Sequence, residues 1–472
     1  MRLQCHFLSE AEREQVHRDS LKILAEVGVM FRSAAARRIL TRHGARADGE
    51  IVRIPAELVQ QALQTAPRSF TLGARNPAFD FPMPSKFTGY TLDGAATFAL
   101  DTATGRRRYA VTSDLVTSLQ LFEQLPLGTI VWPNVVLSDI PEPSSDVRTT
   151  CLSLMNSSKH IQHEVHHPAH VPFVLEALTA VLGSEEAVRQ RKIFSVCYCT
   201  IPPLTHDEEM CEACLELAKF HVPILPYPMP APGSTGPASL YSDIAVANAE
   251  SLSALVLFQL AVPGCPILYG GAAGATHFAT GGFVEGAPES NLLNGALGDM
   301  ARLYNLPAIV AGCLTDAKAP GPQALLEKVI TTLPLVLSGV DVINGIGEIA
   351  TSQILVPEQI LVDHELAALC QRLKDGITVK DRFDDVARIG PGGNFLMEDS
   401  TVEACRSDEF CRPEFVDRNS YEQWTELGRP DLYSKARRRM AEMLAEPLKN
   451  PLPDKLTGQL EEIMRRADAA LG

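Results

Sequence analysis

Short apolar runs alternate with amphipathic helical stretches across more than 200 residues, and few folds accommodate such a chain. From Thr129 onward the strand-like runs cover 129–137, 193–199, 222–227, 266–270, 307–313 and 340–344. The helical stretches that follow them cover 145–156, 206–220, 238–262, 288–304, 323–337 and 357–373. The runs are continuously apolar, as in strands buried on both faces. Sustained alternation of this kind implies a parallel sheet covered by helices. With segments near Tyr90–Leu100 and Ile161 the strand count approaches eight, so the expected fold is α/β, a TIM-type (β/α)8 barrel. A doubly wound open sheet is the alternative, and no Gly-x-Gly-x-x-Gly follows an early strand to favour it.

The flanks read as helical. Ser9 with Glu12 three residues on forms a capping box opening a helix that Gly28 ends, and further helices are expected over 34–43 and 55–66. Residues 90–108 read as a hairpin turning at 102–105. Helices at 421–424, 431–444 and 454–470 carry dense Arg and Glu and read as outer surface. The expected division is an N-terminal helical cap over 1–88, the barrel over 89–385 and a C-terminal helical extension over 386–472.

A net charge of -15 argues against nucleic acid and anionic membranes as partners. Apolar stretches such as Ala254–Val262 are too short to span a bilayer, and MRLQCHFLSEAEREQ has no apolar core of a signal peptide. Eleven cysteines without framework spacing point to a reducing cytoplasm. Cys197-x-Cys199 on a strand and Cys211-x-x-Cys214 on a helix read first as small buried residues, with a four-thiolate zinc site as the sharper alternative.

The run Pro307 to Cys313 is a buried strand, and Asp316-Ala-Lys318 follows at its carboxyl end, where α/β folds keep their chemistry. Leu306-Pro307, Val310-Ala-Gly312, Asp316-Ala-Lys318, Pro320, Gln323-Ala324 and Glu327-Lys328 together resemble the signature of the trimethylamine methyltransferase superfamily. A second match is Asn248-Ala-Glu250 running to Gly264, with Ala247 in place of the family's His, and a third is the turn Ile389-Gly-Pro-Gly-Gly-Asn394. Leu314 stands where the archaeal enzymes carry pyrrolysine, so the resemblance implies the non-pyrrolysine branch, whose characterised members demethylate quaternary amines such as glycine betaine. It implies a TIM-type barrel that moves a methyl group to Co(I) of a corrinoid carried by a separate small protein. A quaternary ammonium already holds a neutral tertiary amine as leaving group, so the protein needs only to orient it and exclude water.

The residues expected to carry this are as follows. Glu250 and Glu348, together with Leu314 at the pyrrolysine position, stand as catalytic candidates. Tyr90, Trp132, Tyr198, Tyr227 and Tyr269 sit on or at the ends of strands, and two or three of them at a barrel mouth would cage a quaternary ammonium. Asn248 is a further substrate contact, and Lys318 a candidate clamp for a betaine carboxylate. By resemblance His160, Gly270, Gly271, Thr276, His277 and Asp316 face the corrinoid, although the Ser/Thr-rich loop of the archaeal enzymes is mostly Gly and Ala here. Five imidazoles from His160 to His170 are the tempting metal cluster, but the resemblance implies no metal of the protein's own. A homo-oligomer is expected. The competing readings are a metal-dependent hydrolase or lyase built on that histidine run, and a barrel that binds betaines without catalysis.

Overall fold

The computed structural model describes residues 4–94, 96–102 and 104–472. Eight parallel strands form the barrel: β1 Gly89–Leu92, β2 Gly128–Val131, β3 His160–His163, β4 Phe194–Cys199, β5 Ile224–Tyr227, β6 Tyr269–Gly271, β7 Ala308–Ala311 and β8 Val342–Ile346. Each pairs with its sequence neighbours, and β8 returns to β1. Between β5 and β6 the ring closes through Ile224 N–H to Pro266 O at 3.0 Å and Leu268 N–H to Ile224 O at 2.9 Å. The helices that follow are α1 Thr112–Glu123, α2 Ser145–Asn156, α3 Val171–Leu182, α4 Glu208–Ala218, α5 Leu240–Ala261, α6 Pro288–Tyr304, α7 Pro322–Ser338 and α8 Pro357–Asp375. The barrel expected from the alternation is the one observed.

Side chains alternate across each strand, so parity decides which face a residue serves. Ile130, Cys197, Leu225, Leu268, Ile309 and Val342 fill the interior, while Tyr90, Ile161, Tyr198, Tyr269 and Val310 pack outward against helices. Leu72, Phe81 and Met83, from the hairpin 70–72 and 81–83, join the interior and plug the amino-terminal end of the barrel. His160 Nδ1 meets Gly73 O at 2.8 Å there.

The ends of several elements differ from the sequence reading. The expected 90–108 hairpin is two things: β1 belongs to the barrel, and Phe98–Asp101 pairs antiparallel with Arg106–Tyr109 as an excursion above it. Ala95 and Ala103, both inside that expected hairpin, lie outside the described residues. β2 stops at Val131, ahead of Pro133, which has no N–H to give a ladder. Helix α5 is long and apolar enough to cross a membrane, yet 89% of its most apolar window is buried inside the protein, as a barrel helix requires.

Helices 10–22 and 56–65 pack against α5, and strand Val29–Phe31 pairs with Thr205–His206 of the loop after β4. At the other end, helix 432–445 packs on α8 and helix 454–471 on α2 and α3, where Arg148 and Asp468 pair. Short helices at 383–389 and 399–406 occupy the stretch where the sequence pattern faded.

Candidate active site

Inward parity, continued one step past the strands, lines the mouth of the barrel. Asp93, Trp132, Glu164, Cys199, Tyr227, Ala272 and Asn344 all follow this rule and all line a cavity of about 820 Å³. Glu285 and Ser352 join from loops, and His163, His166, His167 and His170 form one wall. Among the described residues lining the cavity there is no lysine or arginine.

Two aromatics form one face. Trp132 and Tyr227 meet edge to face, with centroids 5.4 Å apart and planes at 66°. Trp132 Nε1–H donates to both oxygens of Glu164, at 3.0 and 3.2 Å, and Tyr227 O–H donates to Asn344 Oδ1 at 2.5 Å. Asn344 Nδ2–H donates onward to Asp93 at 2.9 Å.

Joined to them through Asn344 is a pair of carboxylates, Asp93 buried and Glu285 half-buried. Ser352 Oγ lies within hydrogen-bond distance of both Asp93 and Glu285, at 2.7 Å from the latter. Burial and the neighbouring Asp93 push the Glu285 carboxyl up to about 8, and burial raises Asp93 as well. Two acids this close in a low-dielectric site do not both ionise readily. Glu348, fully buried behind them, is pushed well above the usual carboxylate range by burial, Asp93 and Glu285.

The motif that singled out Asp316 builds this pair. Asp316 accepts the backbone N–H groups of Glu285 and Gly286, at 3.1 and 2.9 Å, and the Thr351 hydroxyl at 2.8 Å. Ala350, Thr351 and Ser352 all hold positive φ of 60°, 61° and 52°, a left-handed turn that costs non-glycine residues about 1 kcal/mol or more each. Ala350 N–H to Ala317 O and Thr351 N–H to Thr315 O pin that turn, at 2.9 and 3.0 Å. Glu327 accepts from Thr315 Oγ1 and Asp316 N–H. Lys328, fully buried, donates to Cys313 O, Gly345 O and Asp363. The signature is therefore largely scaffold for the loops that present Glu285 and Ser352.

Of the five aromatics expected at the mouth, Trp132 and Tyr227 are there. Tyr90, Tyr198 and Tyr269 have outward parity. Tyr198 O–H meets His206 Nδ1 at 2.8 Å, and Tyr269 O–H donates to Asn248 Oδ1 at 2.6 Å. Asn248 itself ties Ser20 to Tyr304 behind the barrel. Glu250 accepts from Leu204 N–H at 2.7 Å and from Thr200 Oγ1, fastening the loop after β4, and burial pushes its carboxyl up to about 7. Leu314 is buried away from the cavity with its N–H on Thr331 Oγ1 at 2.9 Å. Lys318 lines a separate surface pocket with Thr102, Tyr433 and Arg437.

Gly270 and Gly271 are packing glycines. A Cβ on Gly270 would stand 1.7 Å from Ile309 O, and one on Gly271 2.7 Å from Leu297 Cδ1. Thr276 and His277 lie on a rim hairpin, 275–277 with 282–284, where His277 bonds Thr280. His160 is spent at the opposite end of the barrel, on Gly73 O and on Ser195 Oγ at 2.8 Å.

The histidine run consequently splits: His160 lies at the opposite end of the barrel, the other four line the cavity wall, and the one group of described residues spaced for a metal includes none of them. Asp146 takes His170 Nδ1 at 2.7 Å and His166 Nδ1 at 3.0 Å. The bond to Asp146 raises His166 to about 9 against burial. Cys211 and Cys214 lie on α4, behind the strand, so the four-thiolate arrangement does not form.

A family model described as trimethylamine methyltransferase (MTTB) matches residues 2–472. The chain belongs to that family. It is a methyltransferase. The trimethylamine methyltransferase MttB of Desulfitobacterium hafniense (strain DSM 10664 / DCB-2) is 29% identical over 469 residues, 98% of this chain and 94% of that protein. The glycine betaine methyltransferase of D. hafniense (strain Y51) is 26% identical over 479 residues, 99% of this chain and 98% of that protein. Among solved structures, the hydroxylamine complex of MtmB aligns with a TM-score of 0.52 at 11% identity, covering 93% of this chain and 89% of that one, a likeness of fold.

The sequence singled out neither Asp93, Glu164, Glu285, Asn344 nor Ser352 for the site. For Asp93, Glu164 and Asn344 the missing signal was strand parity. For Glu285 and Ser352, which arrive on loops, no local signal exists.

Proposed function

We propose that the chain removes a methyl group from a small quaternary amine, with glycine betaine the first substrate to try, and passes it to a corrinoid on a separate small protein. The observation that carries this reading is the pairing of an aromatic face, Trp132 and Tyr227, with the Asp93–Glu285 acid pair in a cavity whose described lining holds no lysine or arginine. Aromatic faces and carboxylates attract a quaternary ammonium without offering it a proton. A neutral tertiary amine is a good leaving group, so the acids bind and orient rather than protonate. His166, raised to about 9 by its bond to Asp146, adds an imidazolium to the histidine wall, and a betaine carboxylate would lie toward it. Both relatives named above act on methylated amines by their names, and Leu314 at the pyrrolysine position is buried on Thr331, consistent with a substrate that needs no added activation.

The reduced corrinoid supplies a strongly nucleophilic cobalt. For this chain, the relevant fit is an open mouth with an apolar rim: Val136 and Met229 at the cavity, and Phe278 and Phe283 on the hairpin beyond it, are exposed. These residues suit the flat face of a macrocycle and exclude water from the reacting methyl.

The test is product analysis. The protein and a reduced small corrinoid protein are incubated with glycine betaine, proline betaine, carnitine, butyrobetaine and trimethylamine in separate reactions, and the demethylated amine is followed by proton NMR. One quaternary amine is expected to lose one methyl while trimethylamine is untouched. Turnover of trimethylamine alone, or of none, overturns the reading.

A further inference from the structure

The interior of the barrel carries a second chemistry beside the cation face. Cys197 and Cys199 share inward parity on β4, and Glu164 occupies the adjacent inward position past β3. One carboxylate oxygen and the two sulfurs all lie within 4.8 Å of one another. The sulfurs are 3.8 Å apart. Two thiolates bound about 2.3 Å from one tetrahedral ion would be separated by about 3.8 Å, so the spacing suits shared ligation.

We propose that Cys197, Cys199 and Glu164 bind a zinc-class divalent ion, leaving the fourth coordination position open to the cavity. Two soft sulfurs with one carboxylate select zinc over calcium or magnesium. Three protein ligands with one open position is the pattern of a reactive zinc site rather than a closed structural one. Glu164 and Cys199 line the cavity, and Cys197 is buried beneath them, so an ion enters from the mouth.

The surroundings provide the shell that such a site needs. Trp132 Nε1–H fixes Glu164 through both oxygens. His163 Nδ1 stands 3.1 Å from Glu164 Oε2. Partners of this kind orient a ligand and tune its basicity. Both cysteines would bind as thiolates, so loading the ion gives up thiol protons and makes metal affinity rise with pH. The loaded centre, two thiolates and one carboxylate against a 2+ ion, carries one net negative charge. It therefore leaves the mouth hospitable to a cation. The proposal goes beyond methyl transfer and stands or falls without it.

The experiment is metal analysis of the full chain purified without chelator from zinc-supplemented cells, then replacement of the ion by Co(II). About one equivalent of zinc per chain is expected, and the Co(II) form should show intense thiolate-to-metal charge-transfer absorption. Cys197→Ser and Cys199→Ser should each lose most of the metal and of that absorption, whereas Cys211→Ser should keep both. Trp132→Phe, which keeps every ligand, should weaken binding by about tenfold through Glu164 alone. Circular dichroism and thermal melting establish that each variant is folded, and the Co(II) spectrum of the unaltered chain needs no variant. Absence of stoichiometric metal together with absence of charge-transfer absorption on adding Co(II) overturns the proposal. So does metal that survives both cysteine substitutions.

Discussion

The Asp93–Glu285 pair makes ligand affinity depend on pH with a definite sign. Burial and Asp93 hold the Glu285 carboxyl at about 8, so at neutral pH most of the free protein carries a proton shared through Ser352. A quaternary ammonium in the cavity favours the ionised form and expels that proton. If only the ionised form binds, the apparent dissociation constant rises about tenfold for each pH unit below about 8, reaches its minimum just above it, and climbs again as His166 loses its proton above about 9. The assay is titration calorimetry with glycine betaine at several pH values, each in two buffers of different ionisation enthalpy. Release of close to one proton per ligand is expected near neutrality, falling toward zero at alkaline pH. Glu285→Gln should remove both the rise below about pH 8 and the proton release. Affinity that stays flat between acidic and alkaline pH, without proton release, would refute the reasoning.

Folding stability carries the opposite sign. Glu285 is raised above its unfolded value, so its favourable contribution is fully present at acidic pH and is lost as pH climbs through about 8. Differential scanning calorimetry of the free protein should show a transition temperature that declines over that range and is partly restored by the ligand. Trp132→Ala should weaken quaternary-ammonium binding by about two- to thirtyfold, from about 0.5 to 2 kcal/mol of cation–π attraction, as measured by calorimetry. Lys328→Met leaves Asp363 buried and unpaired and should destabilise the fold by about 3 to 5 kcal/mol in urea unfolding. Glu250→Ala frees the Leu204 N–H and should cost about 1 to 3 kcal/mol in the same assay while leaving ligand affinity nearly unchanged, since Glu250 is not at the cavity.

Strand–helix alternation made the barrel legible because a parallel sheet buried on both faces leaves continuous apolar runs. Tyr198 shows where that signal ends. It sits on a barrel strand as expected, but Cys197 and Cys199 hold the inward positions on either side, so the ring faces a helix. Trp132 and Tyr227, chosen on the same grounds, happen to have inward parity. A continuous run hides parity, because inward and outward residues are equally apolar. Asp93 and Glu164 were readable in principle, two residues beyond the inward Thr91 and Gln162. Glu285 was not, since its position depends on backbone bonds to Asp316, some 30 residues away in the chain. The motif carrying the resemblance was conspicuous for a related reason. Asp316, Glu327 and Lys328 serve many backbone partners at once, and such scaffolding constrains side chains more tightly than a cavity wall does.

The most direct measurement of the central claim is spectroscopic. The protein is mixed with a small corrinoid protein of the methyltransferase type, reduced to Co(I), and quaternary amines are added one at a time. Rapid loss of the Co(I) absorption with one quaternary amine, slowed about two- to thirtyfold in Trp132→Ala at sub-saturating amine, is the result the account predicts. A Co(I) band that persists with every quaternary amine, or that decays equally in Trp132→Ala, would contradict it.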